Sequence, residues 1–230
     1  MDPFHHLRTA GGEDLPVAEY QEEFDKVYAE AGDTVWKLER AQEFHEPDVE
    51  SWQAMMDGDW ERSMALLEEW RLPLEEQYAT HAEFRRLRIV ETPITPYLQW
   101  EINGLAIRVS TGERVRVLPA DAVRDFERSS PLPELVIFSR SLCYEVLYDA
   151  AGAHTGARRV SDPQVIGPCL DALIRLYDQA EDLIAYHERE IMPLAPPAIS
   201  LLIPSGEGNR AIGMIDRSGN YGEKSSSRRR

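Results

Sequence analysis

Apolar positions recur along this chain in two rhythms, a helical one and an alternating one. Between residues 19 and 44, Phe24, Val27, Tyr28, Ala31, Val35 and Leu38 fall three or four apart, which places them on one helical face. Gly32 and Asp33 weaken the middle, so the stretch predicts one bent helix or two short ones. His45-Glu46-Pro47-Asp48 reads as a stop and a new start. A short helix over 48–56 ends at Asp57-Gly58-Asp59, and Asp59 caps a longer one through Trp60, Met64, Leu67 and Trp70 or Arg71. Pro73 interrupts or kinks that helix.

The alternating rhythm begins at residue 84. Phe84, Leu87 and Ile89 carry a short β-prone run. From Pro96 to Gly112, Leu98, Ile102, Leu105 and Val109 keep helical spacing, and Gly112 stands where a C-cap glycine belongs. Leu98, Trp100 and Ile102 also alternate, but the stretch is too long for an ordinary strand. Val115 and Val117 alternate up to Pro119, and Leu135–Phe138 is an uninterrupted apolar run, as in a strand buried on both faces. Residues 143–149 pair with that run as a hairpin, 150–156 form a loop, and 157–160 form an edge strand. Ser161-Asp162-Pro163 starts a helix whose stripe, Ile166, Leu170, Leu173, Tyr177, Ala180 and Ile184, runs to about 189.

These elements predict an α/β class bordering on α+β. The expected architecture is a mixed sheet of about five strands, an N-terminal helical cap and a long C-terminal helix. The strand–helix–strand unit favours parallel pairing. The organisation reads as a mobile arm (1–18) and a single domain (19–190), with its helical cap at 19–82 and its mixed part at 83–190. An extension with a β-hairpin (191–216) and a disordered tail (217–230) follow.

Charge narrows the partners. Acids outnumber Lys plus Arg by 41 to 25, a net charge of −16, which counts against nucleic acid as a direct ligand and suits a basic protein partner. Arg85, Arg86, Arg88, Arg108, Arg114 and Arg116 cluster in sequence, either as solvated strand edges or as a local basic patch. No apolar run is long enough for a membrane span, and the N-terminus lacks a secretory h-region. Cys143 and Cys169 are too few for a disulfide framework or a zinc site. A reducing cytoplasm fits best.

The reactive motifs thin out on inspection. Gly206, Gly208 and Ala211 mimic a dinucleotide fingerprint, but too little chain follows for its helix and second strand, so a hairpin turn is preferred. None of the six histidines has a partner at i+4, no GxSxG surrounds a serine, and Cys143 suits a core better than a nucleophile. No catalytic residue, metal or cofactor is expected. Tyr97 and Glu101 share a helical face that core packing does not require, near Arg88 and Arg116. The candidate ligand pocket is Arg88, Tyr97, Trp100, Glu101, Glu113 and Arg116: the arginines would hold a small anionic group and the aromatics would exclude water. The plainer reading is that Glu101 neutralises an arginine.

Taken together, Leu38-Glu39, Gly58, Arg85–Glu91, Pro93 with Tyr97-Leu98-x-Trp100-Glu101, Gly112-Glu113 leading into Val115–Pro119, and Asp162-Pro163 resemble a catalogue-numbered actinobacterial domain family of unknown function. The resemblance implies an accessory protein of helix-turn-helix regulators. Its usual aromatic strand ending in Asp is replaced here by Glu134–Ser139, which puts any role of that aspartate in doubt. The element order is also similar to a single phospholipase-D-like lobe, but the His-x-Lys of the catalytic lobes is missing. A non-enzymatic regulatory or sensor protein with a protein partner, such as a basic DNA-binding regulator, is the expectation. The alternative is an enzyme on a phosphorylated or nucleotide substrate, with Glu101 and Arg88 in acid–base and charge-stabilising roles.

Overall fold

The structure, a computed structural model, describes residues 2–199. Its first half comprises α1 (Pro3–Thr9), β1 (Glu13–Pro16), α2 (Val17–Glu30), β2 (Val35–Glu39), α3 (Glu50–Met56), α4 (Trp60–Glu68), α5 (Arg71–Thr80), β3 (Phe84–Val90) and α6 (Pro96–Thr111). Then come β4 (Arg114–Pro119), a 3-10 turn (Ala120–Val123), β5 (Leu135–Ser139), β6 (Leu142–Tyr148), β7 (His154–Val160), α7 (Pro163–Gln179), β8 (Glu181–Asp182), α8 (Leu183–Tyr186) and a π-helical turn (His187–Ile191).

The fold is α/β, with one mixed sheet of eight strands in the order β1-β7-β6-β5-β2-β3-β4-β8, not about five. β2, β3 and β4 run parallel, and every other pairing is antiparallel. Many local signals hold. Asp59 and Asp162 cap α4 and α7 and Gly112 closes α6 at φ 130°, as expected, while Thr95 caps α6 without having been singled out. No helix among the described residues is long and apolar enough to cross a membrane.

Three strands account for the difference. β2 interrupts the expected helical cap: Val35 and Leu38 fit a helical stripe, yet they face opposite sides of a central strand. All five residues of β2 are buried, because β3 and β5 flank it and Lys37 and Glu39 pair with each other at 2.7 Å. β1 falls within the expected mobile arm. Phe4 and Leu7 of α1 are buried, and β1 adds to β7, so β7 is not the sheet edge. β7 also begins at His154 rather than 157, and it needs Gly156: a Cβ there would stand 2.2 Å from the Leu15 carbonyl oxygen. β8 breaks the long C-terminal helix at Ala180, where Glu181 and Asp182 pair with β4 and Asp182 then caps α8. The extension with a hairpin expected over 191–216 lies, from residue 200 on, outside the described residues, as does the tail at 217–230.

The two faces of the sheet are covered differently. α1 and α7 close one face, packing Ile166, Cys169 and Leu173 on Trp36, Leu38, Leu87, Ile89, Leu135 and Ile137. On the other face α2 covers β5, β6 and β7 through Tyr20, Phe24 and Tyr28. There α6 covers β3 and β4, with Leu98, Ile102 and Leu105 against Val115 and Val117. Helices α3, α4 and α5 form an outer layer over α6, joining Trp52, Met55, Leu67 and Leu74 to Tyr97, Trp100 and Ile107.

Candidate functional site

Strand alternation explains where the charges go. Side chains of β3 alternate between faces, so Leu87 and Ile89 enter the α7 side while Arg86 and Arg88 point under α6. Lys37 and Glu39 of β2 join them by the same parity, two residues apart on a parallel neighbour. Glu101 reaches in from α6, Glu113 from the turn before β4, and Arg108 from the last turn of α6. The result is a buried lattice of charge between sheet and helix. Arg86 bonds Glu39 at 2.8 Å and Glu113 at 2.6 Å, and Arg88 Nε donates to Glu101 at 2.8 Å. Tyr78 donates to Glu113 and accepts from Arg108 Nη1 at 3.3 Å. Arg86, Arg88 and Arg108 are all within 1% of full burial.

Such a lattice stands only because its members hold one another. A buried ion costs several kcal/mol in lost hydration, which Coulomb attraction offsets when geometry is good. Burial works against the charge of Arg86, but Glu113 and Glu39 outweigh it and hold the guanidinium firmly protonated. Burial likewise opposes ionisation of Glu39, yet Arg86, Lys37 and Arg88 carry it well below the usual carboxylate range. Glu101 is pushed up by burial, and the charge of Glu39 adds to this against the pull of Arg88. Glu134 sits at the end of β2, where its carboxylate accepts from the backbone N–H of Arg40 at 2.8 Å and of Ala41 at 2.6 Å. Burial and then Glu39 raise its pKa to about 7.

The structure brings five of the six sequence-predicted residues to this region. Arg88, Glu101 and Glu113 belong to the lattice itself. Tyr97 and Trp100 stand on the outer side of α6, where Tyr97 donates to Glu46 at 2.6 Å. Arg116 is on the opposite face, because its register partner is Leu87: it donates to the Tyr177 carbonyl at 3.0 Å and lies 4.8 Å over the Tyr177 ring. The face expected to be left over is covered instead, since α3, α4 and α5 pack on Tyr97 and leave it 5% exposed. The arginines read as solvated positions include three of the most buried side chains described. Between lattice and cap remains a cavity of about 10 Å³, lined by Trp70, Arg86, Tyr97, Trp100, Glu101 and Arg108 among others. That is the space of about one water molecule. Arg86 Nη2, Arg108 Nη2 and Trp100 Nε1 have no hydrogen-bond partner among the described residues, so the cavity suits a hydrogen-bonding occupant of that size.

Sequence reasoning missed Lys37, Glu39, Tyr78, Arg86, Arg108 and Glu134. The signal was present as Lys37-x-Glu39 and Arg86-x-Arg88, charges at the period of a strand, but that pattern is shared with any strand having one wet face. Other chemistry is quiet. Burial pushes the Cys143 thiol well up and the Cys169 thiol to about 12, which keeps both out of thiolate reactivity. Among the described residues no group of three His, Cys, Asp or Glu is placed to hold a metal ion.

The model of the family described as "Domain of unknown function (DUF6879)" matches residues 22–188, which takes in the whole lattice. No curated protein matches the chain. Among solved structures the chain is similar to TrmBL2, an archaeal chromatin protein with a described mode of DNA binding, at 9% identity and a TM-score of 0.39. That match covers 76% of this chain, which spans about half (54%) of the other, and a likeness so faint carries no argument.

Proposed function

We propose, on the premise that this chain belongs to the DUF6879 family over residues 22–188, that it is a non-enzymatic regulatory protein that works by binding a basic protein partner. The observation that carries this reading is the partition of charge. Among the described residues burial withdraws five cations, Lys37, Arg40, Arg86, Arg88 and Arg108, and four acids, Glu39, Glu101, Glu113 and Glu134. Burial therefore takes out cations and acids in nearly equal number, and the acidic excess behind the net −16 stays on the exterior. Such a surface repels nucleic acid and steers a basic protein toward it. The outer layer adds to the effect, because Glu61 and Glu68 of α4, Glu75 and Glu76 of α5 and Glu69 between them are exposed, as is Leu72 of α5 at 71%. A basic DNA-binding regulator is the partner this charge pattern suits, in keeping with the accessory role that the sequence resemblance implies.

The test is affinity purification from the native host at low and high salt, with Glu69→Lys, Glu75→Lys and Glu76→Lys combined in one variant. A basic protein that is held by the wild type, released by salt and lost by the variant supports the reading. Retention through high salt, or by the variant, refutes it. One observation favours the enzymatic rival: Glu101 is a buried carboxylate pushed up beside Arg88, the environment of a general acid. Glu101→Gln would then abolish turnover of a phosphorylated substrate and leave partner binding unchanged.

A further inference from the structure

The three parallel strands end at a cleft of about 530 Å³. Arg40 follows β2 there, Glu91 follows β3, and Asp121 follows β4, while Glu127, Arg189 and Glu190 complete the charged wall. In open α/β sheets ligands bind outside the carboxyl ends of the strands, and this volume is that of a small-molecule site.

The floor of the cleft is built rather than incidental. Arg40 is only 9% exposed, and its guanidinium bonds Glu127 at 2.6 and 3.0 Å and Glu91 at 2.7 Å. Glu127 is fixed in turn by the Leu132 N–H at 2.8 Å, and Glu134 fixes the Arg40 backbone. Glu91 is different: its side chain is 51% exposed and it is the replaceable partner of a buried cation. The rim repeats the pattern with weaker, exposed pairs, Asp121 with Arg124 and Glu190 with Arg189.

We propose that this cleft binds a zwitterionic small molecule of the amino-acid class, whose carboxylate takes the place of Glu91 on Arg40 and whose ammonium is held by the displaced Glu91. The exchange keeps every charge paired. A simple anion would leave Glu91 unpaired beside it, in a cleft whose lining holds four carboxylates, Glu91, Asp121, Glu127 and Glu190, against three arginines, Arg40, Arg124 and Arg189. A simple amine would gain Glu91 only by stripping a partner from buried Arg40. Only a ligand carrying both charges satisfies both residues.

The experiment is titration calorimetry of the full chain against each proteinogenic amino acid at millimolar concentration, with matched alkylamines and carboxylates as the two separated halves. At least one amino acid binds, and both of its halves bind at least about tenfold more weakly. Glu91→Gln keeps the fold, because Glu91 is exposed, and weakens the amino acid at least about tenfold. Glu91→Asp, which retains the charge, restores part of the affinity. Absence of binding by every amino acid overturns the proposal. So does a half that binds as well as the whole, or a Glu91→Gln variant that binds unchanged. Partner capture is read separately on α4 and α5, so either proposal can fail alone.

Discussion

Leu87 and Arg86 are neighbours on β3, both withdrawn from water, and they are held by different physics. Leu87 enters an apolar layer beneath α7, where burial itself is the favourable term and any aliphatic neighbour of the right shape will serve. Arg86 enters a layer beneath α6, where burial is the unfavourable term and only Glu39 and Glu113 make it tolerable. The α7 face is therefore tolerant of substitution and graded in its response. The α6 face is specific and fails in units, because Arg86 is shared by Glu39 and Glu113, Glu39 also holds Lys37, and Glu113 also holds Arg108.

The largest test of this contrast is Arg86→Met. It leaves Glu39 and Glu113 buried without their shared guanidinium, and urea unfolding should show a loss of about 3–5 kcal/mol that added salt does not relieve. Leu87→Ala on the opposite face should cost about 2–5 kcal/mol, and Leu87→Ile less than about 1.5. A conservative exchange that is forgiven beneath α7 has no counterpart beneath α6: Arg86→Lys loses the two-sided fork and should destabilise measurably. If Arg86→Lys and Leu87→Ile unfold alike, the contrast is broken.

A smaller effect isolates Glu134. Its pKa in the folded protein, about 7, lies above the value of 4.5 for an ordinary glutamate, so folding favours the protonated acid. The stability it contributes is complete below about pH 4.5 and is lost as the pH rises to about 7. Glu134→Gln keeps an acceptor for the Arg40 and Ala41 amides and cannot ionise. The variant should gain on the wild type between pH 5 and 7.5 by on the order of 1–3 kcal/mol, at 1.36 kcal/mol per pH unit. Glu39, held low, acts in the opposite direction and only below the usual carboxylate range. A constant difference across that window would show that Glu134 stays ionised. The smallest effect is Arg128→Ala: the Arg128–Asp125 pair is 80% and 88% exposed, and the unfolding midpoint should not move.

Where local chemistry sets an element, the sequence was legible. Asp59 and Asp162 announce helices and Gly112 ends one, because caps and positive φ are satisfied within a few residues. Where long-range pairing sets an element, it was not. Nothing near Glu13–Pro16 reveals that β7 will accept it as a neighbour, and β8 is two residues whose only support is the edge of β4. The candidate site failed in the same way. Tyr97, Trp100 and Glu101 were found because they share a helix, and Arg88 and Glu113 because they lie near it in the chain. Glu39 and Lys37 arrive from a strand about fifty residues earlier, and which face each arginine takes depends on a register that no local pattern states.

The pairing of β1 with β7 has a consequence in time. Glu13 lies opposite Arg159, and Arg158 closes over the Leu7 and Ala10 carbonyls at 2.8 and 2.6 Å. On a ribosome β1 emerges long before its partner exists, so the growing chain must carry it unpaired until β7, about 140 residues later, has been made. Contacts of such long sequence separation form slowly. The sheet can be completed only late, and the nascent chain meets chaperones with that edge still open.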